Sequence, residues 1–175
     1  MAAVAMESAK EHDANVAVID VTQLEFKIPG CTGCQKCQHD KKFVCVIDDQ
    51  IARSVATLPD YDVIVVVTPL YWWSYSAQMK IFIDRMYSLS KFTESGGVRT
   101  LLDGKMFAIL ATGGGPMEDN LDLLERQWRN PATMLGCRFL SCLFPNTAPE
   151  AGSLAKDPLA IQKAREFGRL LAATK

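Results

Sequence analysis

The sequence has almost no net charge and no long hydrophobic run. Its 19 lysine and arginine residues nearly balance 20 aspartate and glutamate residues, which gives a formal net charge of −1. No global field therefore favours nucleic acid or an anionic membrane surface as a partner. The longest apolar runs, such as residues 63–67, are far shorter than the roughly 20 residues that a membrane-spanning helix needs. We expect no nucleic-acid partner and no membrane partner.

A targeting pattern and a linker are also missing from the sequence. Residues 1–15 carry too many charges and too short an apolar run for a signal peptide, so we expect a cytoplasmic protein. A reducing cytoplasm disfavours structural disulfides, and the six cysteines therefore need another explanation. Without an internal repeat or a low-complexity stretch, the 175 residues are predicted to form one domain, residues 1–175.

Helical and strand patterns alternate along the chain. Strands are predicted at residues 15–21, 62–68, 105–112 and 138–143. Helices are predicted at residues 2–12, 51–58, 76–89, 117–135 and 158–173, and residues 88–100 are predicted to form a loop. This alternation predicts an α/β fold in which helices cover both faces of a parallel sheet. Such sheets bind ligands beyond the carboxyl ends of their strands.

Two segments with unusual composition follow strands at that edge of the sheet. Residues 69–76 place aromatic side chains between a strand end and a helix start, and a flat apolar wall suits a flavin ring. Residues 112–115, of sequence TGGG, bring bare backbone to the same edge. From the residues alone, a hydrophobic loop packed into the core or a dimer contact remains an alternative.

The segment from Pro69 to Arg85 carries a specific motif. Its pattern, P-x-Y-W-x-x-x-S-A-Q-x-K-x-F-I-D-R, resembles the signature of the NADPH-dependent FMN reductases and multimeric flavodoxins. The triple glycine after Thr112 resembles the second flavin loop of that family. The resemblance implies a flavodoxin-like doubly wound sheet with FMN on these two loops. No side chain is expected to act as a catalytic acid or base, because the cofactor supplies the chemistry. The FMN-binding residues that the resemblance implies are Pro69, Leu70, Tyr71, Trp72, Trp73, Ser74, Thr112, Gly113 and Gly114.

One part of the family pattern is not found in this sequence. Members begin with a strand and a phosphate-binding loop, G-S-x-R-x-x-G-N-T, but here no glycine precedes Gly30 and residues 2–12 already read as the first helix. We therefore expect the first strand and the phosphate loop of the family to be missing from the chain. The resembled strand order, 2-1-3-4-5, leaves a gap in the middle of the sheet. Upstream residues, a strand from another protomer, or pairing of residues 15–21 with residues 62–68 could fill it.

Four of the cysteines form a C-x2-C-x2-C-x7-C motif. Thiolates this close together in a glycine-bearing loop suit an iron–sulfur cluster or a zinc ion. The motif and the following sequence VCVIDDQI resemble those of the iron-sulfur flavoproteins, which pair a [4Fe–4S] cluster with FMN. A cysteine-rich cap over the flavin, with thiols that only pack, is the alternative. The metal-binding residues that the motif predicts are Cys31, Cys34, Cys37 and Cys45. Cys137 and Cys142 are expected on opposite faces of a strand, as small buried hydrophobes.

The resemblance predicts an FMN-dependent oxidoreductase that carries electrons from NAD(P)H to a quinone, a free flavin or another small-molecule or protein acceptor. The alternatives are an electron carrier of the iron-sulfur flavoprotein type and a flavodoxin-like interaction module that no longer binds FMN. Trp72 and Trp73 on an exposed loop, together with the resemblance, predict a homodimer or a homotetramer. Asp84 and Arg85, at the end of the helix, are each predicted to serve in an ion pair or in a dimer contact.

Overall fold

The computed structural model describes residues 1–174. In chain order the helices and strands are α1 (Ala2–Glu11), α2 (Lys36–His39), α3 (Gln50–Ala56), β1 (Val63–Pro69), α4 (Ala77–Arg85), β2 (Ser90–Phe92), β3 (Val98–Thr100), β4 (Met106–Thr112), α5 (Asp122–Met134), β5 (Arg138–Phe144) and α6 (Pro158–Ala172). Strands β1, β4 and β5 form a parallel sheet in the order β1-β4-β5, and β2 and β3 form a separate antiparallel hairpin. The predicted α/β fold with a parallel sheet is confirmed.

The three-stranded sheet is covered on both faces. On one face, α3, α4 and α5 pack against alternate residues of the strands, including Phe107 and Ile109 of β4. On the other face, α1 and α6 pack against Ala108 and Leu110. Because β4 lies between two strands and under helices on both sides, its sequence is apolar almost without interruption.

Cys137 and Cys142 contribute to these two cores. Cys137 packs against the α5 side of the sheet and Cys142 belongs to the α1–α6 side, so the prediction that they face opposite ways is confirmed. Burial raises the pKa of each thiol to about 11. Both therefore stay protonated at neutral pH and behave as packing residues rather than as nucleophiles or metal ligands.

Helices α1 and α6 are in unusually close contact. The Ser8 hydroxyl of α1 donates a hydrogen bond to the Arg165 carbonyl of α6 at 2.8 Å. Gly168 permits this approach, since a Cβ atom at that position would lie 2.1 Å from the Ala5 carbonyl oxygen. The terminal helices are thus held together by backbone-to-backbone packing, which a glycine makes possible.

Three predictions about the elements are wrong. Residues 15–21 do not form a strand: no strand pairs with them, and Ile19 and Val21 pack against the core through their side chains instead. Residues 88–100 contain the β2–β3 hairpin rather than a loop alone. The helix predicted from residue 117 becomes regular only at α5, because Asp119 has a left-handed φ of 52°. The other predicted strands and helices are confirmed with shifts at their ends.

The outer edge of β1 is open. Within residues 1–174 the only strand that pairs with β1 is β4, so the direct pairing of residues 15–21 with residues 62–68 is excluded for this structure. Ile19 and Val21 instead pack against the core, and a groove of about 120 Å³ separates them from β1. None of the helices within residues 1–174 has the length and apolar character to span a membrane.

Candidate functional site

The two loops singled out in the sequence lie side by side. Pro69 at the end of β1 is in register with Thr112 at the end of β4, and the Leu70 N–H donates to the Thr112 carbonyl at 2.7 Å. The Gly113 N–H donates to the Phe144 carbonyl of β5 at 3.0 Å. The parallel register therefore gathers the nine predicted flavin-contacting residues at one edge of the sheet, where its strands end.

The first loop ends in a strained tight turn. Tyr71 and Ser74 exchange two backbone hydrogen bonds of 3.0 Å, and Trp72 and Trp73 occupy the turn between them. Both tryptophans have left-handed backbone angles, with φ of 50° and 59°. For residues with a Cβ atom this conformation costs roughly 1–2 kcal/mol each. Backbone strain of this kind is concentrated at ligand-binding and catalytic sites.

The turn holds its aromatic side chains toward solvent. Trp72 is 91% exposed and Trp73 is 50% exposed. Their rings meet edge to face, with centroids 5.7 Å apart. An exposed pair of indole rings is an apolar surface of the kind that contacts ligands or other protein chains.

Hydrogen bonds fix this turn to α5 and to the segment before it. The Trp73 indole N–H donates to the Asp119 carbonyl, the Gln127 amide donates to the Trp73 carbonyl, and the Ser74 hydroxyl donates to Gln127 Oε1, each at 2.9 Å. Sequence reasoning missed Gln127 and Asp119, since they lie about fifty residues away and belong to no motif. The turn is therefore preorganised rather than loose.

Two residues next to the turn connect it to the start of α4. Ser76 caps α4 through a hydrogen bond of 3.4 Å from the Met79 N–H to its hydroxyl. The Ser76 N–H donates to the Thr68 hydroxyl at 3.2 Å. Burial raises the pKa of the neighbouring Tyr75 phenol, so Tyr75 stays protonated at neutral pH.

The glycines of the second loop are not equivalent. A Cβ atom at Gly113 would lie 3.1 Å from Leu121 Cγ, and one at Gly115 would lie 2.8 Å from the Asn120 amide nitrogen. At Gly114 the nearest atom is the Thr147 carbonyl oxygen at 3.8 Å, an ordinary contact. Internal packing thus explains why Gly113 and Gly115 lack a side chain. At Gly114 the fold itself leaves space for a Cβ atom. The Asn120 side-chain oxygen is buried beside this loop and accepts no hydrogen bond.

The four cysteines of the sequence motif are not gathered at one point. Cys31 and Cys34 are exposed, Cys45 is half-buried, and Cys37 is buried in α2. Within residues 1–174 no cysteine forms a disulfide, and no three histidine, cysteine, aspartate or glutamate side chains converge as metal ligands. A backbone hydrogen bond from Lys36 lowers the pKa of the Cys34 thiol.

A buried arginine attaches the cysteine loop, residues 31–45, to the end of α4. Arg85 Nη1 lies 2.8 Å from the Cys45 sulfur, and Nη2 pairs with the buried Asp49 carboxylate. Asp49 also accepts hydrogen bonds from the Ala52 N–H at 2.9 Å and the Lys27 N–H at 3.2 Å. The predicted ion pair of Arg85 is therefore confirmed, with Asp49 as its partner.

A buried lysine attaches the same loop to β2. The Lys91 ammonium donates to the Cys37 and Lys42 carbonyls and lies 5.0 Å from the centre of the Phe43 ring. Gln38 strengthens this attachment, because its amide donates to the Ser90 carbonyl at 2.9 Å and accepts from the Phe92 N–H at 3.1 Å. The buried half of the cysteine loop is therefore fixed, whereas Cys31 and Cys34 lie on an exposed segment.

Comparison with known proteins identifies the family and the fold. The sequence of residues 1–166 matches a protein family that is described as having a flavodoxin-like fold. An iron-sulfur flavoprotein of Methanosarcina thermophila is 31% identical over 110 residues, which are 63% of this chain and 52% of that protein. This chain thus covers about half the length of that relative.

Two solved structures have a similar fold. An NAD(P)H:quinone oxidoreductase from Methanothermobacter marburgensis superposes with a TM-score of 0.70 at 17% identity, over 97% of this chain and 88% of that one. An FMN-dependent NADH-azoreductase from Bacillus anthracis, in complex with FMN, superposes with a TM-score of 0.68 at 17% identity. The match covers 98% of this chain and 87% of that one.

Proposed function

The chain belongs to the family with the flavodoxin-like fold, and on this premise we propose that it is an FMN-dependent oxidoreductase. It would take electrons from NAD(P)H and pass them to a quinone, a free flavin or another small-molecule or protein acceptor. The observation that carries the proposal is the meeting of a strained aromatic turn and a glycine loop where β1 and β4 end. The FMN-dependent azoreductase and the quinone oxidoreductase with the same fold support it.

The residues of the two loops fit a flavin. The buried Asn120 oxygen lacks a donor, and a flavin ring carries an N–H that can supply one. The exposed indoles of Trp72 and Trp73 offer an apolar wall for the ring. When bound, FMN supplies the hydride and electron transfer, while the chain binds and orients it. The residues proposed to face the ring are Pro69, Leu70, Tyr71, Trp72, Trp73 and Ser74, with the backbone of Thr112, Gly113 and Gly114 at its other edge.

Flavin uptake tests this proposal directly. The purified protein is mixed anaerobically with excess FMN, separated from free flavin by gel filtration, and examined by visible absorption. We expect retained flavin bands that bleach on addition of NADH or NADPH. A folded protein that retains no FMN would instead support the interaction module without a cofactor.

Gly114 allows the flavin contact to be tested without disturbing the fold. Gly114→Ala adds a methyl group that meets only the Thr147 carbonyl, at 3.8 Å, so the free energy of unfolding should not fall. A methyl group between the loop and the flavin should weaken FMN binding about tenfold, or about 1.4 kcal/mol, in a fluorescence titration. The control Gly97→Ala, in the β2–β3 hairpin, should bind FMN like the wild type. Equal affinities for the two variants would contradict the proposed backbone contact.

Trp72 should contribute to flavin binding at the expense of stability. In Trp72→Asn the side chain tolerates the left-handed φ of 50°, and the lost indole is 91% exposed. We expect the free energy of unfolding to stay the same or rise by up to about 1 kcal/mol. FMN affinity should fall about tenfold, because an aromatic wall contributes roughly 0.5–1.5 kcal/mol beyond its buried area. A variant that is less stable and binds FMN normally would show that Trp72 serves the fold.

We also propose that Cys31, Cys34, Cys37 and Cys45 bind a [4Fe–4S] cluster, which would make the chain an electron carrier as well. Four free thiols within one loop form the donor set that such clusters take. The similarity to the iron-sulfur flavoprotein of Methanosarcina thermophila favours this function. Binding requires Cys31 and Cys34 to move toward Cys37 and Cys45, and their exposed segment lacks regular structure that would resist the movement.

The exposed tryptophans support an oligomer. The Trp72 ring contacts only the edge of Trp73 among the aromatic rings of residues 1–174, is 91% exposed, and belongs to the proposed flavin site. We propose a homodimer or a homotetramer in which this ring packs against a second copy of the chain.

A further inference from the structure

We propose that Gln127 is a positioning residue of the flavin site, because it holds the strained Trp72–Trp73 turn in the conformation that receives the ring. The inference rests on the FMN binding proposed above and assigns a role to a side chain outside both loops. Gln127 lies on α5, 54 residues after Trp73 in the sequence. Since α5 follows the second loop in the chain, a bond from Gln127 to the turn links the two halves of the site.

The Gln127 carboxamide makes two hydrogen bonds to consecutive residues of the turn. Its Nε2 donates to the Trp73 carbonyl and its Oε1 accepts from the Ser74 hydroxyl, each at 2.9 Å. These bonds require a donor and an acceptor on one planar group, so the reversed amide would set its oxygen against the Trp73 carbonyl. Glutamate would lack the donor, and methionine, which has a similar length, would lack both. The contacts of the turn therefore favour glutamine at this position.

The turn depends on outside contacts because its backbone is strained. Trp72 and Trp73 have left-handed φ angles of 50° and 59°, which residues with a Cβ atom keep only where their surroundings hold them. Gln127 supplies a donor for the Trp73 carbonyl, and the Asp119 carbonyl accepts the hydrogen bond of the Trp73 indole at 2.9 Å. The backbone and the ring of Trp73 are thus both attached to segments that follow the second loop.

The fold itself does not depend on Gln127. Its side chain lies on the exposed side of α5, whereas Leu124 and Trp128, which are 0% and 1% exposed, pack the same helix against the sheet. Hydrogen bonds of an exposed side chain replace hydrogen bonds to water, so they contribute little to the free energy of unfolding. Their effect is to select one conformation of the turn. Loss of the Gln127 carboxamide should therefore change the site and leave the fold intact.

The conformation of the turn affects the affinity for FMN. A turn whose tryptophans are already in place does not pay the cost of ordering when the ligand binds. If the turn adopts other conformations, the apparent dissociation constant rises in inverse proportion to the fraction that is competent to bind. A tenfold fall in that fraction weakens binding tenfold, or by about 1.4 kcal/mol.

The test compares Gln127→Met with Asn130→Met. The first variant keeps the length and helix propensity of the side chain but removes its donor and acceptor, and the second removes a carboxamide from another exposed position of α5. The Trp72 and Trp73 rings, with centroids 5.7 Å apart, should give an excitonic couplet in circular dichroism. For Gln127→Met we expect a smaller couplet, an FMN dissociation constant about tenfold higher, and a urea midpoint close to that of the wild type. Asn130→Met should match the wild type in couplet and affinity.

Three results would overturn the inference. A Gln127→Met protein with the wild-type couplet would show that the turn holds itself. A smaller couplet with unchanged FMN affinity would show that the flavin does not require this conformation, and a large fall in the urea midpoint would show that Gln127 serves the fold. These results leave the proposed FMN binding intact, whereas a wild-type protein that retains no FMN refutes both proposals.

Discussion

Replacement of Asp49 with alanine is expected to destabilise the protein by about 3–5 kcal/mol, because it leaves the Arg85 guanidinium buried without its counter-charge. The side chains of Arg85 and Asp49 are 0% and 3% exposed, so water cannot replace the lost carboxylate. The variant also loses the N-cap of α3 and the hydrogen bond from the Lys27 N–H. Urea unfolding followed by circular dichroism would measure the change.

Asp48 provides a matched control for this experiment. It is the preceding residue, and it forms an ion pair with Arg53 on the surface. The Asp48 side chain is 77% exposed and the Arg53 side chain is 62% exposed. Asp48→Ala should therefore change the free energy of unfolding by no more than about 0.5 kcal/mol. The double variant Asp49→Ala, Arg85→Met should recover part of the lost stability, since it removes the uncompensated charge. Equal stability of the two single variants would mean that the ion pair contributes nothing.

Replacement of Gly168 with alanine should separate the two terminal helices. The new Cβ atom would lie 2.1 Å from the Ala5 carbonyl oxygen, which belongs to the backbone and cannot rotate away. Forced separation of packed elements costs roughly 1–3 kcal/mol, and we expect the upper end of that range. The cost appears although alanine favours helices over glycine by about 1 kcal/mol.

A control for this variant lies on the exposed side of α6. Gln162→Ala introduces the same residue without a new contact, and its stability should remain within about 0.5 kcal/mol of the wild type. Thermal and urea unfolding of both variants would distinguish steric separation from a general effect on the helix. A Gly168→Ala protein as stable as Gln162→Ala would show that the helices can move apart freely.

Much of the sheet could be predicted from the sequence. The apolar runs of β1 and β4 are characteristic of strands buried on both faces, and the motif after β1 marks a loop at their ends. Residues 15–21 are also rich in β-branched residues, yet they form no strand, because strand formation requires a partner and composition does not supply one. The left-handed φ of Asp119 likewise has no signal in the sequence.

The candidate sites were predictable in part. Motif spacing identified the cysteines and the aromatic turn, but the contacts that hold them come from residues distant in sequence. Gln127 and Lys91 show this well: each is unremarkable in the sequence, and only the fold brings the first to Trp73 and the second to Cys37. Spacing also does not determine the conformation of Cys31 and Cys34, which lie on an exposed segment.

The open side of β1 has a consequence for the behaviour of the chain in concentrated solution. Natural sheets protect their outermost strands from self-association with lysine, proline, bulges or short length. β1 has seven residues, carries no charged side chain, and has its proline only at the last position. Its Val65 and Val67 are 36% and 42% exposed. Such a strand is a template for intermolecular β-sheet growth, so the colloidal stability of the protein depends on the occupant of that edge.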